Sequence, residues 1–141
     1  MIKIFIVEDD LQLRLLYEKV LKQEGFEIVD TAINGLEAIE KFHDFVVKPD
    51  LILMDYMMPI KDGLETMKEI LAFDDKAKIV IMSVDRDIKE QALRNGAIGF
   101  INKPFSFRYV SNYLKKLIKS QKERTDLNRK NPFKPSLNYC F

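Results

Sequence analysis

At 141 residues, 47% of them hydrophobic and 32% charged, the chain has room for one globular domain with a full core and not for two ordinary ones. No apolar run approaches the roughly 18 residues of a membrane span, and a single cysteine, Cys140, excludes an intrachain disulfide and a cysteine-based metal site. Net charge is +1 but uneven: Lys119 to Pro135 holds six basic residues against Glu123 and Asp126, leaving 17 basic and 20 acidic residues elsewhere, a weakly acidic body without a nucleic-acid footprint.

Taken in order, Ile2 to Val7 is β-branched and aromatic and predicts a first strand. It carries no leader pattern, so a cytoplasmic protein is expected. The strand ends in three consecutive acids, Glu8, Asp9 and Asp10. Leu13, Leu16, Tyr17, Val20 and Leu21 then recur at helical spacing, with Asp10 placed as N-cap and Gly25 as C-cap glycine. Phe26 to Ala32 predicts a second strand and Asn34-Gly35 a turn, with Leu36, Ile39 and Phe42 opening a second helix to about Val46. Leu51 to Met54 is a short apolar run closed by Asp55 and, after Tyr56-Met57-Met58, by Pro59, the pattern of a strand buried on both faces. Behind Asp62-Gly63 a helix presents Leu64, Met67, Ile70 and Leu71 on one side.

Lys78 to Met82 is a fourth apolar strand, followed directly by Ser83. Asp85 to Asn95 predicts a helix closed by Gly96, with Ile88, Ala92 and Leu93 inward. Ile98 to Ile101 is a short fifth strand running into Asn102-Lys103-Pro104-Phe105, and Val110, Tyr113, Leu114, Leu117 and Ile118 form the buried stripe of a last helix. Gln121 to Phe141, with Pro132, Pro135 and little periodicity, reads as a basic tail: a solvated helix end, or a contact for an acidic partner or RNA. Strands alternating with helices predict an α/β fold, a doubly wound five-stranded parallel sheet covered on both faces, as one domain over residues 1–120.

In a parallel sheet the carboxyl ends of all strands share one edge, where open α/β sheets place their ligands. Glu8, Asp9 and Asp10, Asp55, Ser83 and Lys103 all fall at such ends. Carboxylates crowded around a small site repel one another and call for a cation. Oxygen ligands without a nearby His or Cys point to Mg²⁺ rather than zinc. Lys103 and the Ser83 hydroxyl are donors a phosphoryl oxygen would take, and Asp55 is a candidate nucleophile able to form an acyl phosphate.

Val7-Glu8-Asp9-Asp10, Asp55-Tyr56-Met57-Met58-Pro59 with Asp62-Gly63, Ser83, and Lys103-Pro104-Phe105 together resemble the receiver domain of two-component response regulators, the CheY-like family, over residues 1 to about 120. The resemblance implies the flavodoxin-like three-layer strand order 2-1-3-4-5. It implies Asp55 as the phosphorylation site, Mg²⁺ held directly by Asp9, Asp55 and the Met57 backbone carbonyl and through water by Glu8, and Asp10 as a cap rather than a ligand. It also implies Ser83 and Phe100 as switch residues, Lys103 as the charge-stabilising lysine, and a cis Lys103-Pro104 bond. Two positions depart from the family's common pattern: Val84 stands where alanine is frequent, and Phe100 lacks the hydroxyl of a tyrosine.

A flavodoxin would need a Ser/Thr/Gly-rich phosphate loop where Glu8-Asp9-Asp10 stands, and a haloacid-dehalogenase-type phosphatase a second aspartate at Met57. The expected function is therefore that of a stand-alone phosphoacceptor, not an enzyme beyond its own phosphorylation and dephosphorylation. Its partners would be a sensor histidine kinase or histidine phosphotransferase and a downstream protein that reads Ile88 to Ile118, with no DNA-binding helix-turn-helix and no membrane. The alternative is a phosphorylation-independent interaction module of the same fold.

Overall fold

The computed structural model describes residues 1–130. Its elements are β1 (Lys3–Val7), α1 (Leu11–Gln23), β2 (Glu27–Ala32), α2 (Gly35–Asp44), β3 (Leu51–Asp55), α3 (Gly63–Phe73), β4 (Ile79–Ser83), α4 (Ile88–Arg94), β5 (Gly99–Asn102) and α5 (Phe107–Lys130). The strands form one parallel sheet in the order β2-β1-β3-β4-β5, as expected. Every residue of β3 and β4 is buried, which is why these strands read as unbroken apolar runs.

Strand alternation divides the core in two. Phe5, Val7, Ile52, Met54, Ile79, Ile81 and Phe100 point to the layer of α2, α3 and α4. Ile4, Ile6, Leu51, Leu53, Val80, Met82 and Ile101 point to α1 and α5. The caps read at Asp10, Gly25 and Gly96 are present, and Asp62 adds a side-chain cap to α3. Asp10 and Asp62 accept from Leu13 N and Glu65 N, each at 2.9 Å, and Gly25 and Gly96 follow their helices at φ 94° and 109°.

Four local expectations are corrected. Asn34-Gly35 is not a free turn: the Asn34 side chain accepts from Glu37 N at 2.8 Å and caps α2, with Gly35 as its first residue. Leu16 and Leu93, expected inward, are 43% exposed, because other residues of each helix occupy the face that meets the sheet. Tyr17 and Leu21 do so on α1, and Ile88 and Ala92 on α4. The helix α4 is also shorter than expected, starting at Ile88 rather than Asp85. Finally, α5 does not end near residue 120 but continues to Lys130, ten residues into the stretch read as a tail. Its apolar period stops at Ile118, yet the Lys, Gln, Glu and Arg that follow are strong helix formers, and Arg129 and Lys130 suit the negative end of the helix dipole. Pro132 and Pro135 lie outside the described residues.

Candidate functional site

Three strand ends converge at the carboxyl edge. Asp55 is the last residue of β3, and it lies 7% exposed beside β4. The chain turns so tightly behind it that Gly63 N–H donates to Tyr56 O at 2.8 Å. A Cβ on residue 63 would stand 2.5 Å from the Asp55 carbonyl oxygen, so only glycine lets α3 begin against the end of β3. Glu8 follows β1, its N–H bonded to Ala32 O at 3.0 Å and its carbonyl accepting from Arg14 at 2.9 Å. Lys103 follows β5, with its N–H bonded to Ser83 O at 2.8 Å and a cis bond to Pro104.

These placements bring the Lys103 ammonium 2.9 Å from Asp55 Oδ1 and 3.4 Å from Glu8 Oε1. Carboxylate oxygens of Glu8, Asp9 and Asp55 all lie within 4.8 Å of one another, with Asp9 on the solvent side. Burial, and then the charge of Asp55, pushes the Glu8 carboxyl up to about 8. Burial alone would lower Lys103, but its bond to Asp55 and the charges of Asp55 and Glu8 hold it above the ordinary lysine value. At neutral pH Lys103 is therefore chiefly the partner of Asp55, and the longer contact to a largely protonated Glu8 is the weaker one.

Three carboxyl groups face one ammonium, and Glu8 Oε2 is buried without a hydrogen-bond partner. Leaving such an atom unsatisfied is costly, and an oxygen-only donor set with spare negative charge fits a hard divalent cation such as Mg²⁺. Asp9 and Met57 line an adjoining cleft of about 410 Å³ with Tyr56, Pro59 and Asp62. Asp10, as expected, is occupied as a cap.

Ser83 is buried next to the site, but its hydroxyl accepts from Asp85 N–H at 3.0 Å, which leaves its own proton free to donate. Phe100 is already turned in, 7% exposed in the cluster that contains Ile81, Ile88 and Ala92, while Val84 projects into solvent. Two participants escaped the sequence reading. Tyr17, taken as a core residue, sits with its ring centroid 6.0 Å from Lys103 Nζ, and Phe105 packs on that ring at 5.8 Å. Tyr113, also read as core, accepts from Phe100 N–H at 3.0 Å and so covers the free edge of β5. A tyrosine at a helical apolar position gives no sign in sequence of whether its hydroxyl has work.

A family profile described as the response regulator receiver domain matches residues 4–115. The chain is 38% identical over 121 residues to the chemotaxis protein CheY of Listeria monocytogenes, covering 84% of this chain and all of that protein. It is similar in structure to the response regulator TrrA of Thermotoga maritima, solved in complex with Mg²⁺ and BeF, with a TM-score of 0.74 and 34% identity over 83% of this chain and 99% of that one. It is also similar to the CheX-CheY-BeF3-Mg complex of Borrelia burgdorferi, with a TM-score of 0.78 and 28% identity over 82% of this chain and 88% of that one.

Proposed function

The chain belongs to the response regulator receiver family, and we propose that Asp55 accepts a phosphoryl group from a phosphohistidine on a sensor histidine kinase or histidine phosphotransferase. The observation that carries this reading is the cluster of Asp55, Lys103 and Glu8: a nearly buried carboxylate with one ammonium at 2.9 Å and an unsatisfied carboxyl oxygen beside it. In the transfer an Asp55 oxygen forms the new O–P bond as the P–N bond of the donor breaks and the imidazole leaves with the electron pair. The Lys103 ammonium lies where it can follow the developing phosphoryl charge. Asp9, Asp55 and the Met57 carbonyl would hold Mg²⁺, with Glu8 behind a water, and the bound ion would neutralise charge on the transferring group. The protein is then a signalling phosphoacceptor that turns over only its own acyl phosphate.

Phosphorylation adds about two negative charges and three acceptor oxygens. The Ser83 hydroxyl, whose proton is free while its oxygen accepts from Asp85 N–H, is the donor at hand. Because Phe100 is already buried, the signal to a partner originates in the β4–α4 loop rather than in burial of the ring. The readout falls on α4, β5 and α5. Acetyl phosphate with Mg²⁺ should label the wild type, and Asp55→Asn should lose essentially all of the label, which hydroxylamine should remove as it does other acyl phosphates. Normal labelling of Asp55→Asn would overturn the assignment. No labelling of either protein by acetyl phosphate or by histidine kinases would leave the phosphorylation-independent interaction module.

A further inference from the structure

The opposite, amino edge of the sheet carries a second charged feature. Beyond Ile118 the helix α5 overhangs the body by about 18 Å at 1.5 Å per residue. One stripe of this overhang, Gln121, Arg124, Thr125, Asn128 and Arg129, follows helical spacing but is polar throughout. It faces back toward the body across a groove of about 1130 Å³. The other wall is the α3–β4 loop with Lys76 and Lys78, and the floor is Ala77, Leu93 and Ile98.

Cations thus stand on both walls, Lys76 and Lys78 against Arg124 and Arg129, with Asp75 the one acid among the lining residues. Among the described residues none of these four cations has a carboxylate within ion-pairing distance. Residues 131–141 contain Lys134 and neither aspartate nor glutamate, so no side chain there can neutralise them. Two like-charged walls repel, and an anionic ligand lying between them would remove that repulsion while pairing with both.

We propose that this groove binds an acidic peptide segment of a partner protein, with carboxylates on the two walls and an apolar residue on the floor. The groove is far larger than an inorganic anion needs. Its floor is aliphatic and its lining holds no aromatic ring on which a base could stack, and the rest of the body is net acidic, so a peptide fits better than RNA. The site lies at the sheet edge opposite Asp55 and does not depend on the phosphoacceptor reading.

The test uses the full chain, isotope-labelled for NMR, titrated with a ten-residue glutamate peptide bearing a central leucine, with a ten-nucleotide RNA and inorganic phosphate as parallel probes. The peptide should shift the amides of Ala77, Lys78, Ile98, Arg124 and Thr125. Affinity should fall by about tenfold or more between 50 and 300 mM salt, and by a similar factor in Lys76→Glu/Lys78→Glu, whose changes leave the helix untouched. Arg124→Glu should weaken binding comparably from the other wall. Shifts confined to other surfaces, unchanged affinity after charge reversal on either wall, or tighter binding of the RNA at these amides would each overturn the proposal.

Discussion

Lys103 and Lys78 both flank strands, one just after β5 and the other just before β4, yet their surroundings are opposite. Lys103 is paired with Asp55 at 2.9 Å and lies 3.4 Å from Glu8, its side chain 15% exposed, whereas Lys78 pairs with nothing among the described residues. The difference follows from chain direction. Every helix runs antiparallel to the sheet, so helix N-termini, with their positive ends, meet the carboxyl edge and helix C-termini meet the amino edge. The acids Glu8, Asp9 and Asp55 stand at the first edge, and the cations of the groove at the second. Only at the first do buried strands deliver these groups into the interior, where a charge is costly unless it is paired. The carboxyl edge therefore gathers reactive, interdependent groups, and the amino edge presents solvated ones.

The largest effect expected from this contrast is on stability against pH. Glu8 titrates at about 8 in the fold against about 4.5 for an ordinary glutamate, so the native state holds a proton that the unfolded state has released. Stability without Mg²⁺ should fall as pH rises from about 4.5 to about 8, by on the order of a few kcal/mol. Glu8→Gln, which cannot ionise, should flatten that slope. Urea denaturation in EDTA at pH 5.5 and 8.5 measures it, and equal slopes for both proteins would break the claim that burial governs this edge. Mg²⁺ binding at pH 6.5 should correspondingly release protons, which calorimetry in buffers of different ionisation enthalpy reports.

Gly63→Ala probes the same edge through the backbone. The new Cβ would meet the Asp55 carbonyl oxygen at 2.5 Å, and neither group can rotate away. A loss of about 1–3 kcal/mol is expected, together with weaker Mg²⁺ binding, because relief of the clash displaces the end of β3 that carries Asp55. A fully stable variant with unchanged metal affinity would show that the site tolerates movement of its central strand.

The architecture was legible because its signals are periodic. Buried runs such as Leu51–Met54 and the cap Asp10 each state their structure locally, and a parallel order puts Glu8, Asp55 and Lys103 on one edge. What escaped depends on partners that the local sequence does not name. Beside Asp10, the cap already read, the adjacent Glu8 and Asp9 have opposite fates, one buried and one exposed, because the turn out of β1 rotates them in different directions. The continuation of α5 to Lys130 carries no apolar period, so the signal that marks the other helices is missing there. Tyr113 packs where Gly99 leaves space, a match between residues fourteen positions apart.

Ile60 was equally invisible, since its residue type argues against its conformation. It has φ 74°, and Lys61 N–H donates to Pro59 O at 2.8 Å across it, a γ-turn of the strained positive-φ kind. A β-branched side chain is poorly suited to that region. The side chain is 73% exposed, so its replacement costs little packing. Ile60→Asn should raise stability by about 1 kcal/mol, read from the denaturation midpoint. Strain at the carboxyl edge would then be a measurable part of the contrast between edges, and a neutral or destabilising result would show that the Ile60 contacts outweigh the backbone cost.

The smallest effect is expected at the amino edge, and it completes the comparison. Lys76→Glu/Lys78→Glu reverses two charges that form no ion pair among the described residues and lie on the solvent side of the α3–β4 loop. Two opposing terms act there. New glutamates near the C-terminus of α3 face the negative end of that helix, which disfavours them, while they also relieve repulsion from Arg124 and Arg129 across the groove. Each is screened at physiological salt, where the Debye length is about 8 Å, and each is worth a few tenths of a kcal/mol at an exposed site. Their sum should lie within about 0.5 kcal/mol of zero, with labelling of Asp55 unchanged. A loss above about 1 kcal/mol would mean that these lysines are anchored in the body of the protein. The amino edge would then be a structural charge network like the carboxyl edge, rather than a surface left open for a partner.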